Sequence, residues 1–170
     1  MVSIMLGVMR TAILTVSTSV AAGETEDRSG EALAEHARAA GAEIVAQDVL
    51  ADERGPIEDW LRRQAAAGAS LIFTTGGTGL TDDDVTPEAT RAVIDRDAPG
   101  FAEALRAEAL KYTPMGILTR GVSGIVGRTL IINFPGNPKA IGELFPVIAP
   151  TLGHVVATLQ REPGERTPGH

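Results

Sequence analysis

The sequence predicts one doubly wound α/β domain, in which a single, mostly parallel sheet is covered by helices on both faces. Short apolar runs alternate with segments of helical periodicity, the order typical of a parallel sheet with crossover helices. The apolar runs at residues 70–75 and 129–134 show no polar alternation, as expected for strands buried on both faces. A length of 170 residues fits one domain. In such folds ligands bind at the carboxyl ends of the strands.

The first half of the chain alternates strands with helices. The predicted strands cover residues 11–17, 43–50 and 70–75, and the predicted helices cover residues 27–41 and 55–68. In the first helix Leu33, Ala37 and Ala40 recur at helical spacing, and Gly41 is a natural stop. Pro56 lies in the first turn of the second helix, where its missing amide proton is not needed.

The second half contains one more buried strand and four helices. Thr86 is expected to cap a helix whose first position is Pro87. The other predicted segments are helices at residues 100–110, 135–148 and 150–159, a strand at 129–134, and an irregular excursion or hairpin at 121–128. We expect a domain at residues 11–160, between an N-terminal extension at 1–10 and a disordered polar tail at 161–170.

Composition and charge exclude several kinds of site and partner. The chain has no cysteine and three histidines, so thiolate zinc sites, cysteine nucleophiles and histidine triads are not expected. A net charge of −7 argues against nucleic acids and anionic membranes as partners. The apolar N-terminal stretch lacks a basic leader and is interrupted by Arg10, which disfavours a signal peptide. We therefore expect a cytoplasmic protein.

Two loops each join a buried strand to a helix through a glycine-containing turn. The first contains Gly76, Gly77 and Gly79, whose amides suit an anion, although a plain tight turn has the same composition. Neither the P-loop nor the dinucleotide-binding fingerprint fits its spacing. The second loop contains Pro135, Gly136, Asn137, Pro138 and Lys139. Asn137 can cap the helix, and Lys139 is either an anion contact or a solvated lysine.

Carboxylates and hydroxyls lie next to these loops. Asp82, Asp83 and Asp84 would repel a bare phosphate, and Mg²⁺ shared between a carboxylate and substrate phosphates would resolve that conflict. A solvated loop is the alternative, and we favour it for Asp82 and Asp83. Asp52 follows the second strand and would, on its own, be an ordinary loop aspartate. A third polar cluster contains Ser17, Asp27, Ser29 and Gly30, and helix capping by Asp27 or Ser29 alone would explain it.

Several stretches together resemble the Mog/MoaB family of molybdenum-cofactor biosynthesis and the related G domains, including that of gephyrin. The stretches are TTGGTG, DVTPEAT and LIINFPGNPKA, with DRSG, PGF and SGIVGRTLIIN in the expected order. The resemblance runs from Thr11 to Leu159. It departs from the family pattern in the acidic LTDDD segment, which leaves open how many carboxylates touch metal. The first eight residues have no counterpart, and Met9 is an alternative start.

The resemblance implies a Mog/MoaB-like α/β fold, usually a homotrimer, and an adenylyl transfer. Mg-ATP and molybdopterin would give adenylylated molybdopterin and pyrophosphate, with Mg²⁺ as the cofactor and no protein nucleophile. The implied partners are small molecules, a pterin and a nucleotide, with a downstream molybdate-insertion protein as a further partner. The protein would then contribute positioning and charge neutralisation.

The family's functional residues can be matched to positions of this chain. The resemblance implies catalytic roles for Asp52 and Asp84, with Mg²⁺ held at Asp84. It implies that ligands contact the first loop at Thr75, Gly76, Gly77, Thr78 and Gly79, and the later segment at Ser123 and Gly124. It also implies contacts with the facing loop at Pro135, Gly136, Asn137 and Pro138, and with the neighbouring Asp27, Ser29 and Gly30. To these the residue pattern adds Ser17 and Lys139.

Three other functions remain open at this stage. A MoaB-like paralogue could bind molybdopterin without adenylylating it, and its loops would look the same. The molybdate-insertion protein shares this domain but carries others that 170 residues cannot hold. A trimeric structural scaffold generally relies on fused domains and linkers. Pyrophosphate release that depends on ATP and molybdopterin would separate the enzyme from the paralogue.

Overall fold

The computed structural model describes residues 7–165, which form one six-stranded sheet flanked by helices. The strands are β1 (Met9–Val16), β2 (Ala42–Leu50), β3 (Leu71–Thr75), β4 (Arg96–Asp97), β5 (Ser123–Val126) and β6 (Thr129–Phe134). The helices are α1 (Thr18–Ala21), α2 (Arg28–Ala39), α3 (Arg54–Ala66), α4 (Thr86–Val93), α5 (Gly100–Ala109), α6 (Pro138–Ile148) and α7 (Leu152–Leu159). Two 3₁₀ turns cover Pro114–Leu118 and Ala149–Thr151.

The sheet has the strand order β2-β1-β3-β6-β5-β4. β1, β2, β3 and β6 pair in parallel, whereas β5 is antiparallel to β6 and β4 is antiparallel to β5. The chain moves from β1 to one side for β2 and to the other side for β3, so the strand order reverses next to β1. The predicted doubly wound, mostly parallel fold is confirmed, and its switch point lies at the carboxyl ends of β1 and β3.

Alternate residues of the central strands pack into two separate hydrophobic cores, one on each face of the sheet. Ile13 and Phe73 face a core built with α2, α5, α6 and α7, in which Phe73, Phe134 and Phe145 meet edge to face or stacked. Leu14 and Ile72 face a smaller core built with α3 and α4, which buries Trp60. Burial on both faces explains why these strands read as continuous apolar runs.

Two local expectations change in the structure, and of the two alternatives for residues 121–128 the hairpin is confirmed. β1 begins at Met9, two residues before the predicted strand, because Met9 and Arg10 already pair with β2. The N-cap of α4 is Val85, not Thr86, and its side chain makes no capping hydrogen bond. The segment 121–128 forms a hairpin arm, since β5 turns through Gly127 into β6. Residues 1–6 of the predicted extension and 166–170 of the predicted tail lie outside the described part of the chain, whereas Met9 and Arg10 belong to β1.

One helical stretch between residues 7 and 165, Pro138–Leu159, is 22 residues long and apolar enough to cross a membrane. It comprises α6 and α7, which the 3₁₀ turn Ala149–Thr151 separates. Six of its residues belong to the larger core, and these are Ile141, Leu144, Phe145, Ile148, Leu152 and Val156. Packing against the sheet therefore accounts for its apolar composition.

Candidate functional site

A polar cleft of about 720 Å³ lies at the carboxyl ends of β1, β3 and β6. The loop after β3, the loop after β6 and the start of α2 form its walls. This is the edge of the sheet at which the strand order reverses, where a doubly wound fold places its ligand.

The two glycine loops interlock through their backbones. Gly76 has φ +92°, and a Cβ there would come within 2.2 Å of the Val16 carbonyl oxygen, so only glycine fits. Gly76 N donates to Phe134 O at 3.2 Å, and the Thr75 hydroxyl donates to Pro135 O at 2.8 Å. The cleft therefore has a floor of exposed backbone that is fixed from both sides.

Thr86 attaches the first loop to α4. Its backbone N donates to Gly77 O at 3.1 Å, and its hydroxyl donates to Gly76 O at 2.9 Å. Both groups are committed to the loop, which is why the Thr86 hydroxyl does not cap the helix. Thr86 is fully buried, so the loop conformation and the helix start are fixed together.

Asp52 is held at the cleft by Thr18, the first residue of α1. Its Oδ2 accepts hydrogen bonds from the backbone N of Thr18 at 3.0 Å and from the Thr18 hydroxyl at 2.8 Å. Oδ1 lies beside Gly77, 3.3 Å from the position that a Cβ on that glycine would take. Within residues 7–165 no hydrogen bond is formed to Oδ1, which leaves it open to a ligand.

Asp84 lies on the other side of the first loop. Its Oδ2 accepts hydrogen bonds from the Thr81 backbone N at 3.1 Å and the Thr81 hydroxyl at 2.8 Å. Partial burial acts to raise the pKa of Asp84, but hydrogen bonds from Thr81 and Gly79 and the charge of Arg120 together hold it below its ordinary value. Asp84 is therefore a carboxylate at neutral pH.

The start of α2 forms the third wall. Asp27 caps this helix by accepting a hydrogen bond from Gly30 N at 2.9 Å, and both its oxygens accept from the Thr15 hydroxyl. Arg28 and Ser29, the next two residues, line the cleft. The Arg28 guanidinium is 3.7 Å from Glu26 in an ion pair exposed to solvent, which is worth little in stability.

Twelve of the predicted site residues line this cleft. They are Ser17, Ser29, Asp52, Gly76, Gly77, Thr78, Gly79, Asp84, Pro135, Gly136, Asn137 and Pro138. Three others support the walls from beneath, because Asp27, Gly30 and Thr75 are engaged in the contacts that fix α2 and the loops. The predicted cap at Asn137 is confirmed, since its side chain accepts from Lys139 N at 2.9 Å.

Ser123, Gly124 and Lys139 do not line the cleft. The Ser123 hydroxyl donates to Ala98 O at 2.6 Å and accepts from Ala102 N at 3.1 Å, which fixes α5 to the sheet. Gly124 lies inside the β4–β5–β6 ladder. The Lys139 side chain is 85% exposed, with its ammonium 3.9 Å from Glu143 one turn further along α6.

Several residues of the site were not predicted from the sequence. Thr18, which holds Asp52, lies on the four-residue helix α1, which has no sequence signal of its own. Arg28 stood inside the quoted DRSG motif but was not singled out. Met115, Leu118 and Thr119, from the 3₁₀ turn and its end, also reach the cleft, and no local motif indicated them.

A smaller, largely apolar cavity of about 170 Å³ adjoins the cleft. It lies among α5, the 3₁₀ turn Pro114–Leu118 and the start of α6, with Leu105, Ala109 and Leu144 in its walls. Met115, Thr119, Pro135 and Asn137 line both spaces, so the polar cleft continues into an apolar pocket.

No group of three or more histidine, cysteine, aspartate or glutamate side chains within the described residues could hold a metal ion by itself. Asp82 and Asp83 are exposed and do not line the cleft, in keeping with a solvated loop. A cation here would therefore depend on Asp52 or Asp84 together with oxygens of a ligand, the arrangement that Mg²⁺ commonly adopts with phosphates.

Comparison with known proteins adds a family to this geometry. Residues 12–154 match the family described as a probable molybdopterin binding domain. The chain is 38% identical over 155 residues to the molybdopterin adenylyltransferase of Helicobacter pylori strain J99, covering 85% of this chain and 84% of that protein. It is 36% identical over 151 residues to the molybdopterin adenylyltransferase of Escherichia coli K12, covering 87% and 77%. The solved structure of the molybdopterin biosynthesis enzyme MoaB from Thermus thermophilus aligns with a TM-score of 0.85 at 42% identity, covering 92% of this chain and 99% of that one.

Proposed function

The chain belongs to the probable molybdopterin binding domain family, and on that premise we propose that it is a cytoplasmic molybdopterin adenylyltransferase. It would transfer AMP from Mg-ATP to the terminal phosphate of molybdopterin. An oxygen of that phosphate attacks the α-phosphorus of ATP, and the bond to the β-phosphate breaks, so pyrophosphate leaves. The observation that carries the proposal is the cleft in which Asp52 and Asp84 flank a loop of bare glycine backbone.

The charges of the cleft support a reaction between phosphates that is assisted by a cation. Its lining contains the carboxylates of Glu26, Asp52 and Asp84 against the single guanidinium of Arg28. Two polyanionic substrates would be repelled by this surplus of negative charge unless a divalent cation entered with them. The donor set fits Mg²⁺, because Asp84 is ionised and Asp52 keeps Oδ1 open. Mg²⁺ held there by Asp84 would neutralise charge on the phosphates.

The other groups of the cleft would bind and orient the substrates. The backbone amides of Gly77 and Thr78, which donate no hydrogen bond to another group within residues 7–165, and the start of α2 are suited to phosphate oxygens. The adjoining cavity offers a largely apolar surface next to the polar loop. Because no protein nucleophile is needed, catalysis would come from alignment of the two phosphates and from charge neutralisation.

A pyrophosphate-release assay tests the proposal. Pyrophosphate should form only when ATP, Mg²⁺ and molybdopterin are all present, at about one per pterin. The matched control is molybdopterin from which the terminal phosphate has been removed, because it lacks the attacking oxygen and should release none. Molybdopterin binding without pyrophosphate release would contradict the adenylyltransferase.

A second candidate is a molybdopterin-binding paralogue that does not adenylylate. Its support is the 42% identity to the solved MoaB structure. The same assay separates the two candidates, because the paralogue would bind the pterin and leave ATP intact.

We also propose that the protein is a homotrimer whose product passes to a molybdate-insertion protein. Exposed large apolar side chains concentrate around the 3₁₀ turn, at Leu110, Tyr112, Met115, Ile117 and Leu118, and such a cluster is typical of a contact surface. Sedimentation equilibrium should give three times the mass of 17.7 kDa. A monomer throughout the micromolar range would contradict the trimer.

A further inference from the structure

Arg120 contacts the loop of residues 78–84, called here the Asp84 loop, at three points and α4 at a fourth, all from outside the cleft. Its Nε donates to Gly79 O at 2.7 Å, and its Nη2 donates to Asp84 O at 2.7 Å. Its Nη1 pairs with the Glu88 carboxylate, and its backbone N donates to Thr78 O at 2.8 Å. One residue, remote in sequence, thus connects the end of the glycine loop, the residue Asp84 and the first turns of α4.

We propose that Arg120 is a positioning residue for the adenylyl transfer, fixing the loop between Gly79 and Asp84 so that the Asp84 carboxylate faces the cleft. This rests on the proposed function for its catalytic consequence. Arg120 does not line the cleft, so it acts through the loop and not by contact with a substrate.

The loop has little else to hold it. Thr81, Asp82 and Asp83 are exposed, and the loop's own hydrogen bonds are those that Asp84 forms with Thr81 and with the Gly79 backbone. The two carbonyls that accept from Arg120 belong to Gly79 and Asp84, the residues at either end of the turn. A rigid guanidinium that bonds both ends reinforces the hydrogen bond between Gly79 and Asp84 and fixes the distance between the two backbone segments.

The ion pair with Glu88 orients the guanidinium. The side chains of Arg120 and Glu88 are 33% and 37% exposed, so solvent screens the pair and its energy is small. Its geometric effect is larger, because it fixes the plane of the guanidinium relative to α4. Lysine would keep the charge but could not direct separate donors to Gly79 O, Asp84 O and Glu88.

The test compares Arg120→Ala and Arg120→Lys with the wild-type protein and with Arg128→Ala. Arg128 is a suitable control because it pairs with Glu162 at 3.2 Å, next to the amino end of β6 and far from the cleft. Both Arg120 variants should lose about 10- to 100-fold in kcat, the scale expected for a misplaced reacting group, with molybdopterin affinity unchanged within about twofold. Arg128→Ala should behave as wild type.

Hydrogen exchange supplies a readout that does not depend on activity. In Arg120→Ala the amides of residues 78–86 should exchange about tenfold faster, while those of β3 should keep their protection, because only the loop opens. Unchanged exchange in residues 78–86, or a loss of protection throughout the chain, would overturn the proposal. If Arg120→Ala does not fold, Arg120→Lys takes its place in both measurements.

A double variant shows whether Arg120 acts through Asp84. Arg120→Ala combined with Asp84→Asn should be no slower than Asp84→Asn alone, since the carboxylate that Arg120 positions is already lost. If the double variant were slower than Asp84→Asn by the full factor that Arg120→Ala costs alone, the two substitutions would act independently and the proposal would be contradicted. A wild-type protein that releases no pyrophosphate would contradict the proposed function instead, and the exchange experiment would still decide whether Arg120 orders the loop.

Discussion

Asp52 and Asp84 lie in one cleft, but the chain holds them in different ways. Asp52 is fixed by Thr18, and both residues follow directly from the paired strands β1 and β2. Asp84 lies on an exposed turn and depends on Thr81 beside it and on Arg120, 36 residues away in sequence. One carboxylate is therefore positioned by the sheet, and the other by side chains that reach across the fold. We expect the Asp84 side to be more sensitive to single substitutions.

The largest effect is expected from removing the Asp84 charge. Asp84→Asn keeps the shape, and if about 3–4 kcal/mol of electrostatic stabilisation is lost, turnover should fall on the order of 10²–10³-fold. Molybdopterin affinity and melting temperature should change far less. Asp83→Asn is the matched control and should be nearly silent, because Asp83 is exposed and does not line the cleft. A larger fall in turnover for Asp83→Asn than for Asp84→Asn would mean that Mg²⁺ is held by Asp83 and not by Asp84.

A smaller loss should follow from crowding Asp84 without touching its charge. A Cβ on Gly79 would lie 2.7 Å from Asp84 Oδ2, so Gly79→Ala must displace the carboxylate. We expect turnover to fall about tenfold or more, the cost of a misplacement near 1 Å or less. Gly55→Ala, at a position in α3 where nothing lies within 4 Å of the new Cβ, is the control and should leave turnover unchanged. Equal turnover in both variants would show that the position of Asp84 is not critical.

The Asp52 side should be more tolerant. Thr18→Val removes the hydroxyl that donates to Asp52 Oδ2 but leaves the backbone hydrogen bond from Thr18 N. Since one of two donors remains, we expect turnover to fall only about three- to tenfold, a free-energy change of roughly 1 kcal/mol. Thr18→Ser retains the hydroxyl and should restore the rate. If Thr18→Val lowered turnover as much as Asp84→Asn, the Asp52 side of the cleft would not be the more tolerant one.

The smallest effect concerns stability and pH at Glu88. The hydrogen bond from Arg120 lowers the pKa of Glu88 against the effect of burial. A lowered carboxylate pKa stabilises the fold above the unfolded-state value, near 4.5, and that contribution is lost as pH falls through the folded value. Because the pair is exposed, Glu88→Gln should cost about 0.5 kcal/mol or less at pH 7.

Urea denaturation of wild type and Glu88→Gln should give curves that converge as the pH is lowered below about 4. A difference that persists unchanged at low pH would mean that the Glu88 charge is not its source.

The same contrast explains what the sequence could predict. The cap at Asn137 was predicted, and Asp27 was one of two predicted caps of α2, because a cap and its helix are neighbours in the chain. Thr86 also precedes a predicted helix and was expected to cap it, yet its hydroxyl donates to Gly76 O, ten residues earlier. A pattern of neighbouring residues cannot predict a partner at that separation. The buried strands and the position of Asp52 at a strand end followed from apolar runs.

Contacts between residues that are far apart in the chain could not be predicted from the sequence pattern. Arg120 precedes a glycine-rich segment and looks like an ordinary surface arginine until β5 and β6 bring it beside the Asp84 loop. The hydroxyl of Ser123 is engaged by Ala98 and Ala102, which places it under α5 and away from the cleft. The positions of Arg120 and Ser123 depend on how β4, β5 and β6 pair at the antiparallel edge of the sheet. The order of the predicted elements along the chain does not determine that pairing.

A crystal structure with molybdopterin, Mg²⁺ and a non-hydrolysable ATP analogue would show whether the cleft aligns the phosphates of the two substrates. We expect phosphate oxygens within hydrogen-bond distance of the Gly77 and Thr78 amides, the terminal phosphate of the pterin facing the α-phosphorus, and Mg²⁺ on Asp84. Phosphates bound away from the space between Gly77 and Gly136, or a metal ion bound without Asp84, would contradict this expectation.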